Sequence, residues 1–127
     1  MEFKKARLFD KARLKVHTDE FEGVPVLIAI GEADAYSVTA LKEALDYAVK
    51  AGVSYLIVDL RAIDYLDGSS HQALVDGKKK LDEIGCKMVV VNTSGPTSCI
   101  LTMLGLDTLM PVVRTLQQAL RSIREQL

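Results

Sequence analysis

The sequence has 127 residues, of which 49% are hydrophobic and 26% charged, with 16 basic and 17 acidic side chains and a formal net charge of -1. This length fits one domain that buries about two-thirds of the surface its unfolded chain exposes, so folding needs neither a metal nor a disulfide. The near-balance of charge argues against a broad nucleic-acid or anionic-lipid surface, and no apolar run approaches the roughly 20 residues of a membrane span.

The first third of the chain predicts a pair of strands. Residues 13–18 alternate as an edge strand does, whereas residues 24–30 are nearly all apolar and indicate a buried central strand. Glu22 and Gly23 suit a hairpin turn between them, so the two strands should be antiparallel. Residues 1–12 are interpreted as an N-terminal extension of a domain spanning 13–127, for which a short helix and an added strand both stay open.

The rest of the chain alternates helical apolar stripes with short apolar strands. Glycines at 52, 85 and 105 end three of the stripes, as is typical of helix C-termini. Helices are predicted at 37–51, 69–84, 95–104 and 115–127, and strands at 55–60, 87–91 and 109–113. The order ββαβαβαβα, with right-handed crossovers between parallel strands, predicts a single α/β domain. Its mixed sheet has four to five strands, the first of them antiparallel, and about four helices.

Polar loops follow three of the predicted strands, at 31–36, 61–69 and 92–95. The carboxyl ends of parallel strands meet at one sheet edge, where functional groups gather. Ser69 and Gln72 fit the S-x-x-Q capping box at the start of the second helix, and Asp67 is a competing N-cap candidate. The functional interpretation is different. A phosphate on Ser69 would lie beside free backbone amides and the positive end of the helix dipole. This position therefore suits a phosphorylation switch that a partner protein reads.

Three motifs, in their order and spacing, resemble the STAS domain of bacterial stand-alone anti-sigma-factor antagonists. The first is YLDGSS at 65–70 after the strand YLIVDL, where the family shows an apolar residue and D-S-S-G. The second is IGEAD at 30–34, where the family shows G-E-x-D, and the third is MVVVN at 88–92 with LGLD at 104–107. The resemblance covers residues 13–121, nearly the whole chain, and supports the predicted fold.

The resemblance implies a site as well as a fold. The phosphorylated serine of the family is the second residue after the aspartate, which is Ser69 here. Asp34 matches an acidic position of the kinase-binding surface, and Asp67 matches the aspartate that precedes the phosphosite. The expected partner-binding residues are Asp34, Asp67, Gly68, Ser70 and His71. The last three depart from the family pattern, because they replace its first serine, its glycine and an apolar residue.

The implied function is that of a cytoplasmic, non-catalytic regulator of transcription in the bacterial stress response. The unphosphorylated protein would bind an anti-sigma factor that is also a serine kinase, and so free a sigma factor. A phosphatase is a further partner that the resemblance allows. We expect a monomer or weak dimer, without nucleic acid or membrane as a partner. The departures at Ser70 and His71 keep a second hypothesis open, a STAS scaffold subunit of a large stress-signalling assembly.

Other chemistries lack their motifs. There is no G-x-S-x-G nucleophile elbow, and Ser69 and His71 stand two apart in a predicted helix, where their side chains do not face each other. A two-component receiver domain would need an acidic pair after its first strand and a lysine after its last. The segment around Gly95 lacks a P-loop pattern. Cys86 and Cys99 are interpreted as small core residues. No catalytic residue, cofactor or metal is therefore predicted.

Overall fold

Six strands form one mixed sheet in the computed structural model, which describes residues 2–93 and 95–125 apart from the side chains of Pro96 and Cys99. The strands are β1 (Leu8–Lys11), β2 (Leu14–Phe21), β3 (Val24–Ala33), β4 (Tyr55–Leu66), β5 (Lys87–Val91) and β6 (Val112–Val113). The helices are α1 (Thr39–Ala51), α2 (Gly68–Glu83), α3 (Pro96–Met103), α4 (Leu106–Leu109) and α5 (Leu116–Arg124).

The strand order in the sheet follows the chain from β1 to β6. β2 is antiparallel to both of its neighbours, and the pairs from β3 to β6 are parallel. This confirms the predicted α/β class, with its antiparallel start and parallel remainder. None of the helices within the described residues is long and apolar enough to cross a membrane.

Two short elements go beyond the predicted four to five strands and four helices. β1 shows that the segment before residue 13 contributes an added strand and not a helix. Three of its four residues are exposed, so no apolar pattern marked it. α4 is a single turn of four residues that follows Gly105, where the third predicted helix was expected to give way to a strand.

Alternate residues along each strand face opposite sides of the sheet, and the two sides carry different helices. The larger apolar cluster joins α1–α4 to one side through residues such as Leu27, Val58 and Val90. The smaller cluster joins α5 to the other side through Val26, Ile57 and Val89. Cys86, which is 1% exposed, lies in the larger cluster as predicted. Burial, with a contribution from Asp82, raises the pKa of its thiol to about 11. The prediction for the Cys99 side chain falls outside the described part of the chain.

β3 and β4 both run past their predicted ends, so most of the predicted loops at 31–36 and 61–69 are strand. The two strands stay paired through Glu32 with Tyr65 and Ala33 with Leu66, after two register shifts. The last six residues of β4 are mostly exposed, which removes the apolar signal while the backbone ladder continues. The connection from β4 to α2 therefore shrinks to Asp67 alone.

Candidate functional site

Asp67 is the N-cap of α2. Its backbone is extended, with φ -111° and ψ -177°, and its side chain accepts a hydrogen bond from the Ser70 amide. The Oδ1–N distance is 3.1 Å. The capping box predicted for Ser69 and Gln72 is wrong, because the Gln72 amide donates instead to Asp76 Oδ1 at 2.9 Å. The competing candidate is therefore correct. The helix begins at Gly68, one residue before its predicted start, which leaves Ser69 inside the first turn.

The hydroxyl of Ser69 is free of a capping role. It donates to Asp67 Oδ1 at 2.6 Å, and the side chain is half-buried. Ser70 differs, since its side chain is 0% exposed and its hydroxyl lies 3.3 Å from the same carboxylate oxygen. Desolvation acts to raise the pKa of Asp67, but the hydrogen bonds from Ser69 and Ser70 hold it below its ordinary value. Asp67 is thus a carboxylate at neutral pH that organises both serines.

The neighbouring predicted residues have different surroundings. Gly68 is exposed beside the cap. His71 is half-buried, and its Nε2 atom has no hydrogen-bond partner among the described residues. The burial of Ser70 puts it out of direct reach of a partner. Of the predicted group on α2, Gly68 is therefore exposed, and Ser69 and His71 are half-buried.

Asp34 organises the connection from β3 to α1. Its Oδ1 accepts the amides of Tyr36 at 2.9 Å and Ser37 at 3.0 Å. The Ser37 hydroxyl donates to the Glu32 carbonyl at 2.7 Å, which closes the turn. Desolvation acts to raise the pKa of Asp34, but these amide hydrogen bonds, aided by the Arg13 charge, lower it below its ordinary value. The side chain is 17% exposed; its Oδ1 atom supports the turn, and its Oδ2 atom faces Arg13.

The Oδ2 atom of Asp34 lies close to an arginine in the β1–β2 turn. Arg13 Nη2 lies 3.4 Å from Asp34 Oδ2, and Arg13 Nε lies 2.9 Å from Glu32 Oε2. The sequence analysis did not single out Arg13, because it placed this residue at the start of a predicted edge strand and left open whether residues 1–12 form a helix or an added strand. Glu32 was not singled out either, although it stands inside the IGEAD motif. The acidic residue in that motif was the signal that could have identified Glu32 as part of the site.

Asp34 and Asp67 line one cleft of about 450 Å³ at the edge of the sheet. The Asp67 amide donates to the Ala33 carbonyl at 3.2 Å, which holds the two connections side by side. The residues that line the cleft are Arg13, Glu32, Asp34, Ala35, Tyr36, Tyr65 and Asp67. The prediction that loops after β3 and β4 converge is confirmed. The loop after β5 contributes no residue to this lining, and its Ser94 is outside the described residues.

The cleft carries three carboxylates and one guanidinium. Two of its walls are exposed tyrosines, Tyr36 at 82% and Tyr65 at 49%, which the sequence interpretation did not single out. Within residues 2–93 and 95–125, no group of three His, Cys, Asp or Glu side chains is arranged to hold a metal. The arrangement suits recognition of a polar surface, and beside it a hydroxyl is held by a carboxylate at a helix start.

Comparisons with known proteins identify the family and the fold of the chain. Residues 15–119 match the family model of the STAS domain. The anti-sigma-F factor antagonist RsfB of Mycobacterium tuberculosis is 29% identical over 111 residues, which cover 87% of this chain and 90% of that protein. The crystal structure of an anti-sigma factor antagonist from Mycobacterium paratuberculosis is 27% identical, with a TM-score of 0.81 over 87% of this chain and 94% of that one.

A more distant structure shares the fold alone. The Bacillus cell fate determinant SpoIIAA in its phosphorylated form is 17% identical, with a TM-score of 0.63. The match covers 85% of this chain and 98% of that one.

Proposed function

Since the chain belongs to the STAS domain family, we propose that it is an anti-sigma-factor antagonist whose partner binding is switched by phosphorylation of Ser69. In the unphosphorylated form it binds an anti-sigma factor in the cytoplasm and so frees a sigma factor. The names of the mycobacterial relatives support the antagonist function. The partner of this proposal is also a serine kinase, which transfers the γ-phosphoryl group of ATP to the Ser69 hydroxyl.

The observation that carries the proposal is the placement of the Ser69 hydroxyl. It lies in the first turn of α2, 2.6 Å from Asp67 Oδ1, and Asp67 itself lines the cleft with Asp34. Because Asp67 and not Ser69 caps the helix, phosphorylation of the Ser69 hydroxyl does not remove the N-cap. In the transfer, the Oγ–P bond forms, the bond from the γ-phosphorus to the ADP oxygen breaks, and the hydroxyl proton is released.

The same placement explains why the phosphate would block a partner. The cleft already holds the carboxylates of Glu32, Asp34 and Asp67. A phosphoserine adds about -1.5 to -2 charges beside them. A partner that fits the unmodified surface, formed in this proposal by Asp34, Asp67, Gly68 and His71, would have to bury this new charge. Unfavourable charges of this kind at an interface cost several kcal/mol. Ser70 does not contact the partner in this proposal, because its side chain is buried beneath the N-cap residue.

The acceptor is tested with the cognate anti-sigma factor and ATP. The unmodified protein should take up one phosphate, and Ser69→Ala should abolish the labelling. Ser70→Ala is the matched control, because it removes the adjacent hydroxyl, which is 0% exposed. Labelling that persists undiminished in Ser69→Ala would remove Ser69 from the proposal.

The switch is tested by calorimetry of the anti-sigma factor with the authentic phosphoprotein and the unmodified protein. We expect phosphorylation to weaken affinity at least about a hundredfold, equivalent to about 2.7 kcal/mol. Circular dichroism checks that the helices persist. Equal affinities would rule out the switch, and a very large particle on size-exclusion chromatography would favour the scaffold hypothesis instead.

A further inference from the structure

Arg13 is the one cation that lines the cleft in the part of the chain that the structure describes, and it lies just before the segment 15–119 that matches the family. We propose that Arg13 is the protein's own ligand for a phosphate on Ser69. In the phosphorylated protein its guanidinium leaves Glu32 and Asp34 and pairs with the phosphate across the cleft. This inference rests on the proposed function, because it describes how the phosphorylated state of the same site is held.

The backbone of Arg13 is fixed at the end of β3. The Glu32 amide donates to the Arg13 carbonyl at 2.9 Å. Gly31 makes this approach possible, because a Cβ atom at that position would stand 2.0 Å from the Arg13 carbonyl oxygen. The side chain, in contrast, is 71% exposed. Arg13 therefore combines a fixed origin with a side chain that is free to change its partner.

The residues that precede Arg13 are anchored on α1. The rings of Phe3 and Phe9 lie 5.5 and 5.8 Å from the Tyr47 ring, and the Arg7 guanidinium lies 4.7 Å from that ring. The Lys4 amide also donates to the Tyr47 hydroxyl at 2.8 Å. The β1–β2 hairpin is thus held by its own contacts with α1, and its turn places Arg13 at the cleft.

The present ion pairs of Arg13 are weak enough to be exchanged. Its contact with Asp34 is long, at 3.4 Å, and its contact with Glu32 joins side chains that are 71% and 38% exposed. Such exposed pairs contribute little, because water screens them. A phosphate offers three strong acceptor oxygens, to which arginine donates in a bidentate manner. We therefore expect the phosphate to compete successfully with the two carboxylates.

The geometry brings the new charge to the same cleft. Ser69 Oγ lies 2.6 Å from Asp67 Oδ1, and Asp67 lines the cleft together with Arg13. The charged groups that line this cleft are the carboxylates of Glu32, Asp34 and Asp67 and the guanidinium of Arg13. Three of these four repel a phosphate. Arg13 is the group that stabilises its dianionic form, and the pairing would draw the side chain over the cleft.

The test uses the full chain with phosphoserine installed at position 69 during translation, and follows the phosphate by ³¹P NMR as pH is varied. Arg13→Gln should raise the second pKa of the phosphate by about 0.3–0.7 pH unit, since an exposed cation favours the dianion by roughly that amount. Arg13→Lys keeps the charge without the two-pronged donor and should give an intermediate value. Lys11→Gln is the matched control, because it removes a cation of the same hairpin that does not line the cleft.

Two results would overturn the proposal. One is an unchanged phosphate pKa in Arg13→Gln, and the other is an equal rise in Arg13→Gln and Lys11→Gln, which would indicate net charge alone. Circular dichroism checks folding, and Arg13→Lys carries the same comparison if Arg13→Gln does not fold: an unchanged pKa there would exclude bidentate pairing. Because the phosphate is installed without a kinase, a failure of kinase labelling would count against the proposed function only.

Discussion

Replacing Asp67 with alanine should destabilise the domain by about 2–4 kcal/mol. Loss of an N-cap side chain costs about 0.5–2 kcal/mol. The second contribution comes from Ser70, whose hydroxyl points to the same Oδ1 atom and whose side chain is 0% exposed. Leaving a buried hydroxyl without its partner costs about 1–3 kcal/mol. The two contributions act together because one carboxylate oxygen serves both serines.

Urea unfolding measures this cost. A slope of about 1–3 kcal/mol per molar urea is usual for small domains, so the midpoint should fall by roughly 1–2 M. Asp67→Asn keeps an acceptor oxygen and should lose less than about 1 kcal/mol. Ser69→Ala removes only a donor from a half-buried position and should also lose about 1 kcal/mol or less. If Ser69→Ala were as costly as Asp67→Ala, the cap would belong to Ser69 and the reasoning would fail.

Three further outcomes follow from the same contacts. Asp34→Asn, which keeps the acceptor for the turn amides, should weaken partner binding in calorimetry while holding its Tm closer to the wild-type value than Asp34→Ala does; equal Tm values would contradict the supporting role of Oδ1. The lowered pKa of Asp67 means that its stabilisation is present above the unfolded value of about 3.9 and is lost as pH falls through the folded value, so urea unfolding at pH 7 and pH 3 should differ less in Asp67→Asn. Gly31→Ala should cost at least about 3 kcal/mol, because its φ is +114° and the Arg13 carbonyl blocks a Cβ, whereas Gly23→Ala, with φ +84° and open space, should cost about 1 kcal/mol in the same assay.

The parallel core of the fold was predictable because its strands are continuous apolar runs between helical stripes. β5 (Lys87–Val91) has the predicted bounds, and the four predicted helices correspond to α1, α2, α3 and α5, whose ends lie within three residues of the predicted ones. The extension of β4 to Leu66 was not predictable from hydropathy, since its outer residues are exposed. There the backbone hydrogen bonds with β3 hold the strand, and the hydropathy pattern of the side chains does not indicate this pairing. For the same reason, the sequence left open whether the segment that forms β1 is a helix or an added strand.

The site was predictable in outline for a topological reason. The carboxyl ends of β3 and β4 had to meet at one end of the sheet, so Asp34 and Asp67 were expected to lie close together. The N-cap lies two residues before Ser69, at Asp67, because its position depends on where β4 stops and not on the S-x-x-Q pattern. Arg13 depends on a hairpin whose first strand has no apolar signal. The contact between Arg13 and Asp34 is a tertiary contact that cannot be predicted from the spacing of the two residues along the chain.

These contacts give phosphorylation an energetic consequence of its own. In the unmodified protein the Ser69 hydroxyl donates to Asp67 Oδ1 at 2.6 Å. A phosphoserine cannot make that donation through its ester oxygen, and it brings a dianion close to the capping carboxylate. Two unit charges 4 Å apart repel by about 1 kcal/mol in water and about 4 kcal/mol near a protein surface. The helix dipole offsets only about 0.3–1 kcal/mol, and the exposed pair with Arg13 proposed above offsets about 0.2–1 kcal/mol more.

The phosphoprotein should therefore stay folded but lose about 1–3 kcal/mol of stability, and Asp67 should account for the loss. In Asp67→Asn the same phosphate meets a neutral amide, so its effect should become neutral or stabilising as the dipole prevails. Four proteins measure this coupling by urea unfolding: wild type and Asp67→Asn, each with serine or phosphoserine at position 69. An equal effect of the phosphate in both backgrounds would show that Asp67 does not sense it. The coupling would then have to come from elsewhere in the cleft, and the repulsion assigned to this pair would be wrong.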